Sequence, residues 1–283
     1  PLDWHYMRGS PYIMRIRTGI GAPKKERLGV DYAGTVESVG KNVAGFAPGD
    51  EVFGGRSGAF AEYITIRETG NVVKKPGNIG FSQAAGVGVA GVTALQALRD
   101  QGKVKPGDKV LINGASGGVG TFAVQIAKSM GAEVTGVCST RNVDLVLSLG
   151  ADHVIDYTQT DYTKSDERYD VIVDNVGNHS VSANRNVLEA DGRMVIVGGL
   201  KGNWLGPLVR PISAMLMAPF VDQELGKFIS QFSQDDLQAL ADLMAGGELT
   251  PVVDREYTLA ETADAIRYLA EGRARGKVII RVP

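Results

Sequence analysis

The sequence predicts an α/β fold built on a doubly wound parallel sheet, joined to a second, β-rich part. Three observations predict it. Short apolar runs alternate with helical patterns between Lys109 and Val197, a glycine cluster stands directly between one such run and one such helix, and residues 1–76 are instead rich in glycine and β-branched residues. At 283 residues the chain exceeds the ~100–200 usual for one domain, so two cores are expected.

Composition narrows the function classes. With 43% hydrophobic and 22% charged residues the chain reads as an ordinary globular protein. Lys+Arg 30 against Asp+Glu 32 leaves a net charge of −2, no footprint for nucleic acid or an anionic membrane, and a small-molecule partner fits better. The single cysteine, Cys138, excludes an internal disulfide and a four-cysteine zinc site, as expected of a reducing compartment. The longest apolar stretch, around Ala214–Val221, is too short to span a bilayer and contains Pro219. No targeting peptide is visible in the sequence, so a cytoplasmic location is expected.

In the first part, Gly34–Val39 and Ala61–Ile66 read as strands, and Pro48-Gly49-Asp50 and Pro76-Gly77-Asn78 supply the tight corners of a small barrel. Ser82 can cap a helix starting at Gln83, and Thr93–Leu98 carries a second helical pattern. Lys109–Asn113 is an apolar strand, followed by the glycine turn and by Thr121–Lys128, whose apolar residues recur at helical spacing. Glu133–Val137, His153–Ile155, Asp170–Asp174 and Arg193–Val197 add strands, with helical stretches between the first two and the last two. Parallel strands need crossover connections, so this alternation predicts the doubly wound sheet. Leu200–Gly226 is irregular. Beyond it Ser233 caps a helix over Gln234–Ala245, Thr258-Leu-Ala-Glu261 forms a capping box before Thr262–Glu271, and Lys277–Val282 is a closing strand.

The strongest chemical signal is Gly114-Ala-Ser-Gly-Gly-Val-Gly120, between the strand Lys109–Asn113 and the helix that follows. Glycines at 117 and 118 let the backbone approach a pyrophosphate, the free N–H groups of the helix start favour negative charge, and Gly120 permits close helix–sheet packing. Folds of this kind that prefer NADH commonly end the second strand with an acid on the ribose hydroxyls. Here the strand Glu133–Val137 runs into Cys138-Ser139-Thr140-Arg141, a hydroxyl and a guanidinium suited to a 2′-phosphate, so NADPH is the expected cofactor. The alternative is that Ser139 caps the next helix and Arg141 is a solvated surface residue.

Together with Gly29-Val-Asp-Tyr-Ala-Gly34, Pro48-Gly-Asp-Glu-Val-Phe-Gly54, Gly91-Val-Thr-Ala-Leu95 and Gly276-Lys-Val-Ile279, these residues resemble the medium-chain dehydrogenase/reductase superfamily. The resemblance is nearest to its zinc-free quinone oxidoreductase, or zeta-crystallin, branch and covers essentially the whole chain. It implies a Rossmann NADPH-binding domain over 81–226, between the two parts of a GroES-like catalytic domain over 1–80 and 227–283 that lacks its first strands. It further implies that Ser116, Gly117, Gly118 and Val119 hold the diphosphate, and that Ser139, Arg141 and Tyr157 hold the adenosine phosphate side. Thr93 would sit near the nicotinamide, Gly198 would line the ribose or nicotinamide end, and Lys277 would support the cofactor from the other lobe. Tyr157 as packing and Lys277 as a strand-edge charge stay open as alternatives.

Classical zinc alcohol dehydrogenases of this superfamily need Cys and His ligands around an open zinc position. Where they show Gly-His-Glu this chain has Gly29-Val30-Asp31, and His5, His153 and His179 form no ligand-spaced cluster with Cys138, so no metal is expected. Without a Lewis acid, hydride delivery to a quinone, enone or related conjugated carbonyl is favoured, because a conjugated acceptor spreads the charge. His5 or Tyr6 could donate the proton, and so could water. The alternatives are an NADPH-binding sensor or crystallin-like protein with little turnover, and an alcohol or enoyl-thioester reductase. The resemblance also implies a homodimer, since the strand after Gly192 and the Leu200–Gly226 segment correspond to the part of this family that commonly pairs subunits.

Overall fold

The computed structural model describes residues 2–9, 12, 15, 19, 21, 27–199 and 206–283. In chain order the described elements are α1 (Leu2–Arg8), β1 (Asp31–Thr35), β2 (Glu51–Gly55), β3 (Val72–Lys74), α2 (Phe81–Ala84) and α3 (Gly88–Gln96), then β4 (Lys109–Asn113), α4 (Gly118–Ser129), β5 (Glu133–Cys138), α5 (Val143–Ser148), β6 (His153–Asp156) and β7 (Tyr169–Asp174). After these come α6 (Val181–Arg185), β8 (Leu188–Ile196), α7 (Gly206–Met217), β9 (Glu224–Lys227), α8 (Gln234–Ala245), β10 (Val253–Thr258), α9 (Thr262–Ala270) and β11 (Lys277–Arg281). The chain forms two compact units that divide within α3. One comprises Pro1–Arg8, Gly21–Val92 and Gln231–Pro283, the other Gly9–Ile20 and Thr93–Ser230. The sequence expectation drew these divisions at 80/81 and 226/227.

The unit of Thr93–Ser230 is organised by six parallel strands in the order β6-β5-β4-β7-β8-β9. Counted along the chain this is 3-2-1-4-5-6, the doubly wound order, which reverses direction between β4 and β7 and opens a crevice at their carboxyl ends. Helices cover both faces, so the central strands read as continuous apolar runs. Val110, Leu111 and Ile112 of β4 and Val171, Ile172 and Val173 of β7 are all fully buried. One face packs Leu111, Ile172, Met194 and Ile196 against Tyr162, Val181 and Ala214.

In the other unit β1, β2 and β3 form an antiparallel sheet with Asp31 opposite Gly55 and Thr35 opposite Glu51, and β10 pairs with β11 in parallel. Two side-chain amides tie α8 to β3 and to the loop after it: Gln234 Nε2 donates to the Val72 carbonyl at 2.9 Å, and Asn78 Nδ2 to that of Met244 at 2.8 Å.

Three expectations are corrected. Ala61–Ile66 forms no strand. Ile64 and Ile66 pack against Tyr32, Val52, Ala59 and Val72, so the apolar alternation records packing without a ladder. The strand expected over Gly34–Val39 lies at Asp31–Thr35, because Val36 already exchanges backbone hydrogen bonds with Gly49 and Asp50 of the corner. Ser82 caps nothing: α2 starts one residue before it, and the Gly80 N–H donates to the Gln83 side chain at 3.0 Å. The irregular stretch after Gly199 contains α7 and the edge strand β9, whose Glu-Leu-Gly-Lys lacks the β-branched residues that mark a strand. Residues 200–205 of that stretch lie outside the described residues.

Candidate cofactor site

β4 ends in Asn113, and the chain turns at Gly114, whose φ of +81° suits glycine. The Gly114 and Ala115 N–H groups both donate to the Val137 carbonyl at 3.1 and 3.0 Å, which anchors the turn to the neighbouring strand β5. α4 opens at Gly118 with Gly117 as its N-cap and no side-chain acceptor on its first N–H groups. Those donors are what an anion at a helix start requires. The glycines divide the labour. A Cβ on Gly120 would lie 2.1 Å from the Gly114 carbonyl oxygen, so that glycine is needed for packing. A Cβ on Gly117 would meet nothing closer than 3.4 Å, so that glycine keeps the approach to the backbone clear. Ser116, Gly117, Gly118 and Val119 are all half-buried on this turn.

Under the turn lies a buried polar foundation. Asp174, fully buried at the end of β7, accepts from Asn113 Nδ2 at 2.9 Å and from the Gly177 and Val176 N–H groups at 2.9 and 3.1 Å. It also pairs with Arg210 of α7, itself 3% exposed. A buried carboxylate persists only with such compensation. Gly198, expected to line the ribose or nicotinamide end, lies across the Asn175 carbonyl, and a Cβ there would come within 2.0 Å of that oxygen.

On the adenosine side, Ser139 follows β5 at the N-cap position of a single 3₁₀ turn, Thr140–Asn142, yet its hydroxyl caps no N–H. It accepts instead from Asn142 Nδ2 at 3.2 Å, so the capping alternative does not hold. Arg141 is exposed on the same turn. Tyr157 stands just past β6, 56% exposed, and its N–H donates to the Cys138 carbonyl at 3.0 Å. The structure adds an acid that reading the second strand alone misses. Asp156 pairs opposite Cys138 at the end of β6 and accepts from Thr140 Oγ1 at 2.6 Å. That bond, with those from Thr158, holds its carboxyl below the usual range. The signal was the parallel register, which sets the ends of β5 and β6 side by side.

The remaining candidates are more dispersed. Thr93 is buried, with its hydroxyl 2.9 Å from that of Ser230. In the other unit Lys277 Nζ lies 3.3 Å from the Asp31 carboxylate. Asp31 also accepts from the Val89 N–H at 2.7 Å, and burial raises its pKa against the opposing pull of Lys277. His5 and Tyr6 are half-buried on α1, where the His5 ring stands edge-on to Trp4 with centroids 4.6 Å apart.

The donor set does not fit a catalytic zinc ion. Cys138 is buried, and desolvation followed by the nearby Asp156 pushes its thiol up to about 11. His153 is bonded to Glu133 at 3.0 Å, and His179 stands by Asp161 and against the Tyr162 ring. Among the described residues no three His, Cys, Asp or Glu side chains converge. The glycine turn, by contrast, fits a nucleotide phosphate.

Known proteins align with this geometry. Residues 149–280 match the zinc-binding dehydrogenase family and residues 1–77 the alcohol dehydrogenase GroES-like domain. A zinc-type alcohol dehydrogenase-like protein of Schizosaccharomyces pombe is 34% identical over 99% of this chain and 83% of its own length. A chloroplastic quinone oxidoreductase of Triphysaria versicolor is 32% identical over 99% of this chain and 85% of its own. The crystal structure of CurK enoyl reductase superposes with a TM-score of 0.83 at 26% identity, covering 100% of this chain and 87% of that one.

Proposed function

The chain belongs to the medium-chain dehydrogenase/reductase superfamily and is an NAD(P)H-dependent oxidoreductase, and from that premise we propose that it uses NADPH to reduce a quinone, enone or related conjugated carbonyl without zinc. The observation that carries the reading is the uncapped start of α4 at Gly117, whose missing side chain leaves the backbone N–H groups free for a diphosphate. When bound, the nicotinamide supplies the hydride. The chain's own residues bind and orient. Ser116 and residues 117–119 hold the diphosphate, and Ser139, Arg141 and Tyr157 meet the adenosine phosphate. Thr93 and Gly198 are proposed for the nicotinamide side, Lys277 as a further cofactor support, and His5 or Tyr6 as the proton donor. The poor fit to zinc favours an acceptor that can spread the developing charge by itself.

Reduction of an enoyl thioester is the second reading, favoured by the superposition on an enoyl reductase. Oxidation of NADPH followed at 340 nm across quinones, enones, aldehydes and enoyl thioesters separates the two by rate. NADPH binding with no consumption across the whole panel would overturn both.

A homodimer belongs to the same proposal. α7 exposes Val209, Ile212, Met215 and Leu216 beside β9, the edge strand of the parallel sheet. Light scattering should give twice the chain mass, and a concentration-independent monomer would refute it.

A further inference from the structure

Asn142 is buried, 6% exposed, and stands where two separate parts of the cofactor reading meet. One of its Nδ2 hydrogens goes to Ser116 Oγ at 2.9 Å, on the turn after β4, and the other to Ser139 Oγ at 3.2 Å, after β5. Its Oδ1 is buried with no partner among the described residues. The amide orientation has a physical reason. Turned over, it would leave two N–H donors buried and unbonded in place of one acceptor. A hydroxyl oxygen that accepts from an amide keeps its own hydrogen for another acceptor, so both serines are left as donors.

We propose that Asn142 is a positioning residue for the phosphates of an adenine dinucleotide. By donating to both serines it turns their hydroxyl hydrogens away from the protein, Ser116 toward a 5′-diphosphate and Ser139 toward a 2′-phosphate. One side chain thereby prepares both anion contacts. The inference rests on the nucleotide reading above and adds to it a residue that touches neither phosphate.

Calorimetric titration with ADP, adenosine 2′-monophosphate and adenosine tests it on wild type, Ser116→Ala, Ser139→Ala, Asn142→Ala and Asn142→Asp. Each serine variant should weaken only its own fragment, ADP or the 2′-monophosphate, by about two- to tenfold, the range of one net hydrogen bond. Asn142→Ala should weaken both phosphates by similar factors while adenosine is unchanged, and adding Ser139→Ala to it should cost less than in wild type. Asn142→Asp preserves the packing but accepts from both hydroxyls and adds a negative charge, so it should weaken both phosphates more than Ala does. If neither serine variant moves its fragment, the nucleotide reading at these serines fails and this proposal with it. If the serines act but both Asn142 variants leave the fragments unchanged, or weaken adenosine equally, the positioning role is wrong and the nucleotide reading stands.

Discussion

The ends of β4 and β5 are neighbours in the sheet, yet they are specified by opposite means. After β4 the chain is shaped by what glycine lacks: Gly120 has no Cβ to strike the Gly114 carbonyl, and Gly117 none to obstruct the helix start. After β5 it is shaped by what side chains reach, with Asn142 on Ser139 and Thr140 on Asp156. Where the chain closes on itself, as at Gly120, no Cβ fits, and few partners are needed. Side-chain-shaped sites can be retuned residue by residue, and contacts that share a partner, as Ser116 and Ser139 share Asn142, respond together.

The sharpest way to break that contrast is at the foundation of the first region. Asp174→Ala leaves the Arg210 guanidinium buried without its carboxylate, which should cost about 3–5 kcal/mol in urea unfolding. A loss below 1 kcal/mol would mean that the turn does not rest on this pair. Next is Gly120→Ala, whose Cβ must displace backbone rather than a flexible side chain. Roughly 1–3 kcal/mol of stability should go with it, together with NADPH binding. Retained nucleotide affinity in the folded variant would count against the turn as the diphosphate site.

The second region should answer more selectively. Arg141→Ala is expected to weaken NADPH about ten- to a hundredfold, the worth of one charge-assisted hydrogen bond, while NADH changes little. Equal losses for both cofactors would remove the 2′-phosphate contact from the proposal. Asp156→Asn should act in the opposite direction, raising NADPH affinity relative to NADH by about two- to fivefold, since the carboxylate is solvent-screened. Its pKa is depressed, first by the Thr140 hydroxyl, so the charge persists from pH 7 down through the ordinary carboxylate range and is lost only as pH falls through the lowered value. Asp156 should therefore add no pH dependence of its own to the NADPH/NADH ratio between pH 7 and 5, and any change there should follow the 2′-phosphate, whose second pKa is about 6. A ratio that collapses toward pH 5 would point to a group other than Asp156.

The same contrast explains what could be read from the sequence. The glycine turn was legible because its meaning is local: strand, turn and helix follow one another within Lys109–Lys128, and local spacing carried the reading. The caps at Ser233 and Thr258 were legible for the same reason, and the Ser233 hydroxyl accepts from the Asp236 N–H at 3.0 Å. Asp156 was missed because its place beside Thr140 comes from β5–β6 register, 16 residues along the chain. Asn142 gave no signal, since an asparagine beside a helix start is ordinary and only the approach of Ser116 makes it special. Ala61–Ile66 misled in the opposite sense, because apolar residues that pack in a loop mimic the period of a strand.

The division of the chain also has a consequence in time. A ribosome has delivered all six strands of the parallel sheet once Lys227 is made, whereas the other unit awaits β11, which opens at Lys277. The intervening ~50 residues take roughly 3–10 s at ordinary elongation rates. Early in that interval β1–β3 still lack the Gln234 amide of α8 that will bond the Val72 carbonyl, and from Thr258 onward β10 stands without β11, its strand partner among the described residues. The unit of the parallel sheet can therefore be nearly finished while the unit assembled from separated stretches of the chain still exposes unpaired strand edges, the kind of surface that chaperones cover.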